Sequence, residues 1–345
     1  MTDHTLAQAL AVASKYWDDE GPYAMVQLGG GYLRAGNGIS GVMIRCDIAN
    51  IDVAVDGKQL HRITKVISRD ATIEKKGRKL VVEDEKSFYE VSVAAKAAAP
   101  TFPDPPDEDW KAATAEQIDA IACVAELVDR HLQPPMDGLR LTPSWVACGT
   151  LAYVAIAWVS GVVNREFVIP PLVFQKVSGA ADLCVDGLRL WVRGDYYVWT
   201  VGLDGEYPDA ALLDQVNKAR AAVQGNPDAV ITQAPVDELR DLSRRAAAVA
   251  LTPADCWKLE AGETGSLTIS GGSQATFTGQ LHGKLLQGKE GMVGIGAPVL
   301  GKIAKAVEGV QGESVVSVSQ PMDPVILVCG NPPVEVVISP VYLDS

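Results

Sequence analysis

The sequence predicts an α+β fold assembled from three repeats of one unit, each running helix, about four strands, helix, three strands. Three observations carry that prediction. Helical and strand periodicities alternate in the same order three times along the chain. Two strand-like runs, "FYEVSV" and "YYVWTV", lead into matching exits, "TFPDPP" at 101–106 and "EYPDAA" at 206–211. The length, 345 residues with 48% hydrophobic content, suffices for two or three buried cores.

The first repeat opens on "TLAQALAVASKYW" (Thr5–Trp17), where Leu6, Leu10 and Ala13 form one stripe. Glycine-separated strands "YAMVQL", "GVMIRC" and "NIDVAV" follow. A second helix, "GKQLHRITKVIS" (Gly57–Ser68), places Leu60, Ile63 and Ile67 on one face. "DATIEK", "RKLVVE" and "SFYEVSV" close the repeat, joined by polar turns suited to hairpins.

The second repeat begins with "TAEQIDAIACVAELVDRHL", with Thr114 as N-cap. Strands "GLRLT", "WVACG", "LAYVAIAWV" and "REFVI" come next. A short helix is expected at "PPLVFQKVSG", since proline suits a first turn. "ADLCVD", "LRLWVR" and "YYVWTV" complete it. The third repeat, from Pro235, runs "VDELRDLSRRAAAVAL", three strands, "APVLGKIAKAVEGV", then "SVVSVS", "PVILVC" and "VEVVISPV". The joining stretches, "APTFPDPPDEDW" and "GEYPDAALLDQVNKARAAVQGNPD", read as linkers. The implied domains are residues 1–109, 110–214 and 215–345. The aromatic-Pro-Asp segments then mark the exits from repeats one and two.

Composition narrows the function classes. A net charge of −13 argues against wrapping nucleic acid over the whole surface. The six cysteines lie far apart, which excludes a zinc ribbon or a CxxC motif and fits buried thiols in a reducing cytoplasm. Four histidines without ligand spacing make a metal site an unattractive reading. The uncharged run Trp145–Val163 is glycine-broken and reads as buried strands, not a membrane span. No signal peptide is visible at "MTDHTLAQAL". "GAPVLGK" (Gly296–Lys302) has P-loop spacing, but Ile303 replaces the required Ser or Thr and Pro298 removes an amide, so a helix start is the better reading. "GGGYLRAGNG" precedes a strand and reads as hairpin turns. The acid clusters sit in linkers without a nucleophile, and no cofactor is expected.

The informative constellation is basic. Lys58, Arg62 and Lys65 share a helix face in the first repeat, with Arg69 just beyond. In the third, Arg240 and Arg244 are one turn apart with Arg245 adjacent, and Lys302 and Lys305 share a face on the next helix. One basic face is ordinarily just solvated. Its recurrence on repeated units of an acidic chain raises another reading, a surface that follows a phosphate backbone without reading bases.

The element order, with "FYEVSV" leading to "FPDPPDEDW", "LDGEYPD" (Leu203–Asp209) closing the second repeat and a terminal "VISPVYL" (Val337–Leu343), resembles the bacterial DNA sliding clamp, the beta subunit of DNA polymerase III. The resemblance covers essentially the whole chain. It implies a DNA-clamp fold whose head-to-tail homodimer makes a ring, helices lining the hole, with no catalysis. The implied partners are duplex DNA, a replicative polymerase and a clamp loader, in the cytoplasm. It also implies a peptide pocket formed by Met136, Pro208, Leu212, Leu213, Pro324, Val337, Ile338, Pro340, Val341, Tyr342 and Leu343. Dimer contacts are expected near Phe102 and the run Ala248–Leu251.

Departures from the family accompany the likeness. The "TDGHRLAV" motif falls on "GTLAYVAI" (Gly149–Ile156), without its Asp, His and Arg. Asp344 and Ser345 extend the tail, and Tyr342 stands where a basic residue is common. The first helix of repeat two is acidic (Glu116, Asp119, Glu126, Asp129). A divergent member with altered partner specificity follows, bacterial and phage origins both being open. A clamp-like adaptor that no longer encircles DNA and a nucleotide-dependent enzyme around "GAPVLGK" are the competing readings.

Overall fold

The computed structural model describes residues 3–48, 51–67, 71–95, 98–174, 177–249, 256–271, 276–308, 310 and 312–341. The first stretch of chain holds α1 (Leu6–Ala13), β1 (Met25–Gly29), β2 (Tyr32–Gly36), β3 (Ser40–Arg45), β4 (Val53–Asp56), α2 (Gly57–Thr64), β5 (Thr72–Lys76), β6 (Lys79–Glu83) and β7 (Phe88–Ser92). Next come β8 (Lys111–Ala113), α3 (Ala115–Leu127), β9 (Leu139–Leu141), β10 (Val146–Gly149), β11 (Tyr153–Ala157), β12 (Phe167–Ile169), β13 (Ala181–Asp186), β14 (Arg189–Arg193) and β15 (Tyr197–Val201). The remainder is α4 (Asp209–Gln224), β16 (Val230–Pro235), α5 (Val236–Val249), β17 (Cys256–Ala261), β18 (Ser266–Gly271) and β19 (Phe277–His282). It ends with β20 (Lys284–Gln287), β21 (Gly291–Gly296), α6 (Ala297–Ala306), β22 (Glu313–Val318), β23 (Val325–Cys329) and β24 (Val334–Ile338).

The helices begin where the side chains dictate. Thr5 and Thr114 both form capping boxes, with Gln8 and Gln117 returning a bond to the cap amide. Asp56 caps α2 by accepting from the Gln59 amide at 2.6 Å. α2 ends at Thr64 and so leaves Lys65 just past the helix, although the periodicity predicts helix to Ser68. At "PPLVFQKVSG" a single 3₁₀ turn, Pro171–Val173, replaces the expected helix.

The contacts gather the chain into two compact units. One holds Met1–Lys111 with Ala181–Gly202; the other holds Ala112–Ala180 with Leu203–Ser345. The first unit carries the eight-stranded sheet β4-β1-β2-β3-β15-β14-β13-β8, with β8 where the chain leaves the unit, and the three-stranded sheet β5-β6-β7. β3 of the first repeat pairs antiparallel with β15 of the second, Met43 opposite Tyr197 and Ser40 opposite Thr200. Gly41 is required there: a Cβ would stand 2.6 Å from the Trp199 ring.

The second unit contains the nine-stranded sheet β12-β9-β10-β11-β24-β23-β22-β16-β20 and the four-stranded sheet β19-β18-β17-β21. β11 of the second repeat pairs with β24 of the third, Tyr153 opposite Ile338 and Ala157 opposite Val334. β10 and β11 are buried on both faces, as expected for Trp145–Val163. α3, α6 and α5 pack in series.

The two exits are built alike. Phe102 and Tyr207 are each buried, Phe102 against Trp191 and Trp199, Tyr207 in the cluster with Val154, Leu212 and Val337. Two residues on, each aspartate binds an arginine: Asp104 takes Arg34 at 2.6 Å and Asp209 takes Arg140. Burial therefore removes Phe102 from the expected dimer contact, because its ring fills this unit's own core. Of the run Ala248–Leu251, residues 250 and 251 lie outside the described residues.

The second exit does not continue as a linker. Residues 209–224 form the 16-residue helix α4, whose Leu212, Val216, Ala219 and Val223 are buried at helical spacing. Proline and acidic residues at its start obscured that stripe. β16, just beyond that expected linker, adds a strand to the large sheet.

Candidate functional site

A groove of about 450 Å³ opens in the second unit between the β10–β11 turn, the start of α4 and the segment around 132–136. Met136, Pro208 and Leu212, three of the predicted pocket residues, line it. Gly149, Thr150, Leu151 and Val154 line it from β10, β11 and their turn, Leu132 and Pro134 from the segment that carries Met136, and Ala211 from α4. The polar lining is Gln133, Thr150 and Gln215; no charged side chain contributes.

The turn is held from within. Thr150 Oγ1 accepts from the amides of Ala152 at 3.0 Å and Tyr153 at 3.2 Å, and the Thr150 amide donates to Tyr153 O at 2.8 Å. This thrusts Leu151 into solvent, where it is fully exposed. The exposed Leu151 extends the apolar lining of the groove out to its mouth. Gly149 keeps the floor open, since a Cβ there would meet Leu212 at 3.4 Å and anything larger would enter the groove.

The other predicted pocket residues are placed differently. Val337 and Ile338 are buried in β24, and Val337 belongs to the apolar cluster behind Leu212. Leu213 packs partly buried against that cluster. Pro324, Pro340 and Val341 are half-buried. Ser339 touches the rim, its hydroxyl accepting from Gln215 Nε2 at 3.4 Å. The backbone then turns away, the Val341 amide donating to Gly294 O at 3.0 Å. Tyr342 and Leu343 lie outside the described residues.

α4, one wall of the groove, is pinned at its first residue. Arg140, 9% exposed on β9, gives Nε to both Asp209 oxygens at 3.0 and 3.1 Å and bonds Glu166 with its terminal nitrogen. Burial pulls the guanidinium pKa down, but Asp209 and Glu166 outweigh it and hold the charge on. An acidic residue in the first turn also suits the helix dipole. Sequence reasoning missed this anchor and the groove wall at 149–154; the missing charges of the "TDGHRLAV" motif were the available signal.

The predicted cationic residues divide by partner. In the first unit, Lys58 pairs with Asp19 at 2.7 Å, while Arg62 and Lys65 are exposed. Lys58 and Arg62 edge a shallow cleft with Tyr89 and Glu90. Arg69 lies outside the described residues. In the second unit, Arg245 is exposed, Arg240 lies 3.6 Å from Asp241, and Arg244 lies 3.7 Å from Glu308. Lys302 and Lys305 face the end of the acidic helix α3 and the residues just past it: Lys302 Nζ is 3.4 Å from Asp129 Oδ2, and Lys305 Nζ is 2.6 Å from Glu126 Oε2. Lys302 also donates to the buried Tyr153 hydroxyl at 3.0 Å, which itself donates to Leu127 O. Burial drives the Tyr153 pKa up, so the hydroxyl stays protonated. For Asp129, burial raises the pKa, but the His131 amide and Lys302 together bring it below the usual value.

Among the described residues no cluster of His, Cys, Asp and Glu could hold a metal ion, and no helix is long and apolar enough to cross a membrane. "GAPVLGK" starts α6, with Pro298 in its first turn, as expected.

No protein-family model matches the chain, and no curated protein does. Solved structures do match. The chain is similar to the beta subunit of DNA polymerase from Streptococcus pyogenes, with a TM-score of 0.77 at 13% identity, covering 98% of this chain and 97% of that one. It is similar to the DNA polymerase sliding clamp of Bacillus subtilis, with a TM-score of 0.76 at 12% identity and the same coverage. The Helicobacter pylori beta clamp bound to a DNA ligase peptide gives 0.73 at 14% identity, covering 98% of both chains. The fold is that of the bacterial sliding clamps, an α+β arrangement of repeated units.

Proposed function

We propose that this protein is a DNA polymerase processivity factor: a sliding clamp that closes as a homodimeric ring around duplex DNA and tethers a polymerase through its apolar groove. The observation that carries the reading is the fold likeness along 98% of the chain, with an apolar, uncharged groove beside the second exit. A ring holds its partner topologically, so its work is binding and not catalysis. Each chain supplies three clamp domains, 1–109, 110–214 and 215–345, and two chains supply six.

Met136, Pro208 and Leu212 take apolar anchors of a short peptide, with Leu213, Pro324, Pro340 and Val341 around them and Val337 and Ile338 behind them; Tyr342 and Leu343, outside the described residues, are assigned to the same peptide by the family resemblance alone. The solved Helicobacter pylori clamp carrying a ligase peptide supports this kind of occupant. Lys58, Arg62, Lys65, Arg69, Arg240, Arg244, Arg245, Lys302 and Lys305 form the cationic set assigned to the duplex; such side chains suit phosphates in any sequence, since they offer no amide pairs for base edges, and Lys302 and Lys305 reach phosphate only when their carboxylate partners let go. A loader opens the ring.

The test is retention. Loaded on a nicked circle, the protein stays through a salt wash, and linearising the circle releases it. Equal retention on linear DNA refutes encirclement, and a strictly monomeric mass at micromolar concentration does the same. The second reading, an adaptor with a clamp frame that no longer encircles DNA, is favoured by the carboxylate partners of Lys302 and Lys305. It predicts no retention on either substrate.

A further inference from the structure

We propose that the acidic end of α3 is a resident substitute for nucleic-acid phosphate: Glu126 and Asp129 hold Lys305 and Lys302 and so withhold two cations from DNA. The inference rests on the clamp reading above and adds a regulation of its duplex-facing surface.

The placement is specific. α3 and α6 pack together, and Glu126 in the last turn of α3 and Asp129, two residues past its end, stand opposite two lysines one turn apart on α6. Each lysine meets one acid. The two pairs differ in how they are held. Asp129 and Lys302 are 3.4 Å apart and each less than one-third exposed, whereas Glu126 Oε2, although 2.6 Å from Lys305, has no aligned hydrogen bond. Lys305 remains 65% exposed. A lysine that exposed gains little stability from its ion pair and can exchange its partner. Lys302 is tied further by the Tyr153 hydroxyl, which leaves Lys305 the easier of the two to free.

The consequence is electrostatic. A phosphate approaching this face meets lysines already neutralised and carboxylates that repel it. Contact is therefore weaker than the count of basic residues suggests, and the acidic α3 and the basic α6 are parts of one device.

The experiment is a double-mutant cycle read by fluorescence anisotropy on a short open-ended duplex across a salt series, using the full chain. Glu126→Gln with Asp129→Asn should raise affinity and steepen the slope of log affinity against log salt by about 1.8, at about 0.9 per phosphate contact. Lys302→Gln with Lys305→Gln should be nearly silent in the native background and should erase that gain in the acid-free one. An equal gain with and without the lysines means a general change of net charge and overturns the proposal. The control is Arg240→Gln with Arg245→Gln: if it weakens binding while the acid variants do nothing, the phosphate-mimic inference fails alone. If no variant changes duplex binding, the DNA-facing assignment itself fails. Should the doubly substituted acid variant not fold, Glu126→Gln alone carries the test with a slope change of about 0.9.

Discussion

Glu335, 4% exposed in the middle of β24, receives the guanidinium of Arg220 from α4, Nε lying 3.0 Å from both carboxylate oxygens. The same guanidinium lies 5.0 Å from the centre of the Trp158 ring. This pair fastens the far half of α4 to the sheet, as Arg140 and Asp209 fasten its start.

Removing the arginine strands a buried carboxylate. Breaking a buried pair costs about 3–5 kcal/mol, and the lower end applies because Arg220 is itself about one-third exposed. Arg220→Ala should therefore lower unfolding free energy by about 3 kcal/mol in urea, whereas Arg220→Met with Glu335→Gln should recover most of it. A loss below about 0.5 kcal/mol for the single variant would show the carboxylate to be solvated.

The groove can be closed without touching its scaffold. Gly149 has ordinary backbone angles, and its missing side chain points at Leu212. Gly149→Leu should cut the affinity for a short peptide with apolar anchors at least about tenfold, or 1.4 kcal/mol. The melting temperature should shift little. Calorimetry with the peptide decides it, and unchanged affinity would move the peptide site elsewhere.

Acid should weaken the contact between Asp129 and Lys302 of α6. The Asp129 pKa is depressed in the folded chain, so its contribution is fully present above the unfolded value near 3.8 and is lost as pH falls through the lower folded value. Urea midpoints measured between pH 7 and pH 3 should fall more steeply in the native protein than in Asp129→Asn. Parallel curves would remove Asp129 from the account.

Thiol labelling should be selective. Burial pushes the Cys46 and Cys148 thiols up to about 12, so at pH 8 the thiolate fraction of each is about 10⁻⁴. Cys256 is partly exposed, and the other five are buried. Iodoacetamide should modify Cys256 first in the folded protein and all six only in denaturant. Mass spectrometry of the native digest gives the order.

The sequence carried the repeat order, the capping Thr114, the buried strands around 145–163 and the helix start at "GAPVLGK", because each rests on local periodicity or cap chemistry. α4 escaped because Pro208 and Asp209 read as loop, while its stripe of Leu212, Val216, Ala219 and Val223 is mostly small residues. The partners of Lys302 and Lys305 escaped for another reason. Ion pairs between α3 and α6 join residues far apart in the chain, and spacing within one helix says nothing about the helix opposite. The groove was half legible: Met136, Pro208 and Leu212 line it, while the wall from Gly149 to Val154 shows only in three dimensions.

Strand exchange across the repeats sets how this chain can be dismantled. β3 and β15 share a ladder, as do β11 and β24, so the middle repeat divides its strands between two cooperative blocks. Expressing residues 110–214 alone would leave β11 and β15 as raw edges, each open to pairing with any strand it meets. A shortened gene lacking that stretch would strip both remaining ends of a neighbour at once. Hydrogen exchange should accordingly release amides in two sets, with β13–β15 protected alongside β1–β4 and the rest of the middle repeat following the C-terminal third. Three repeats in the sequence are two units by cohesion, and a truncation that respects the repeats would break both.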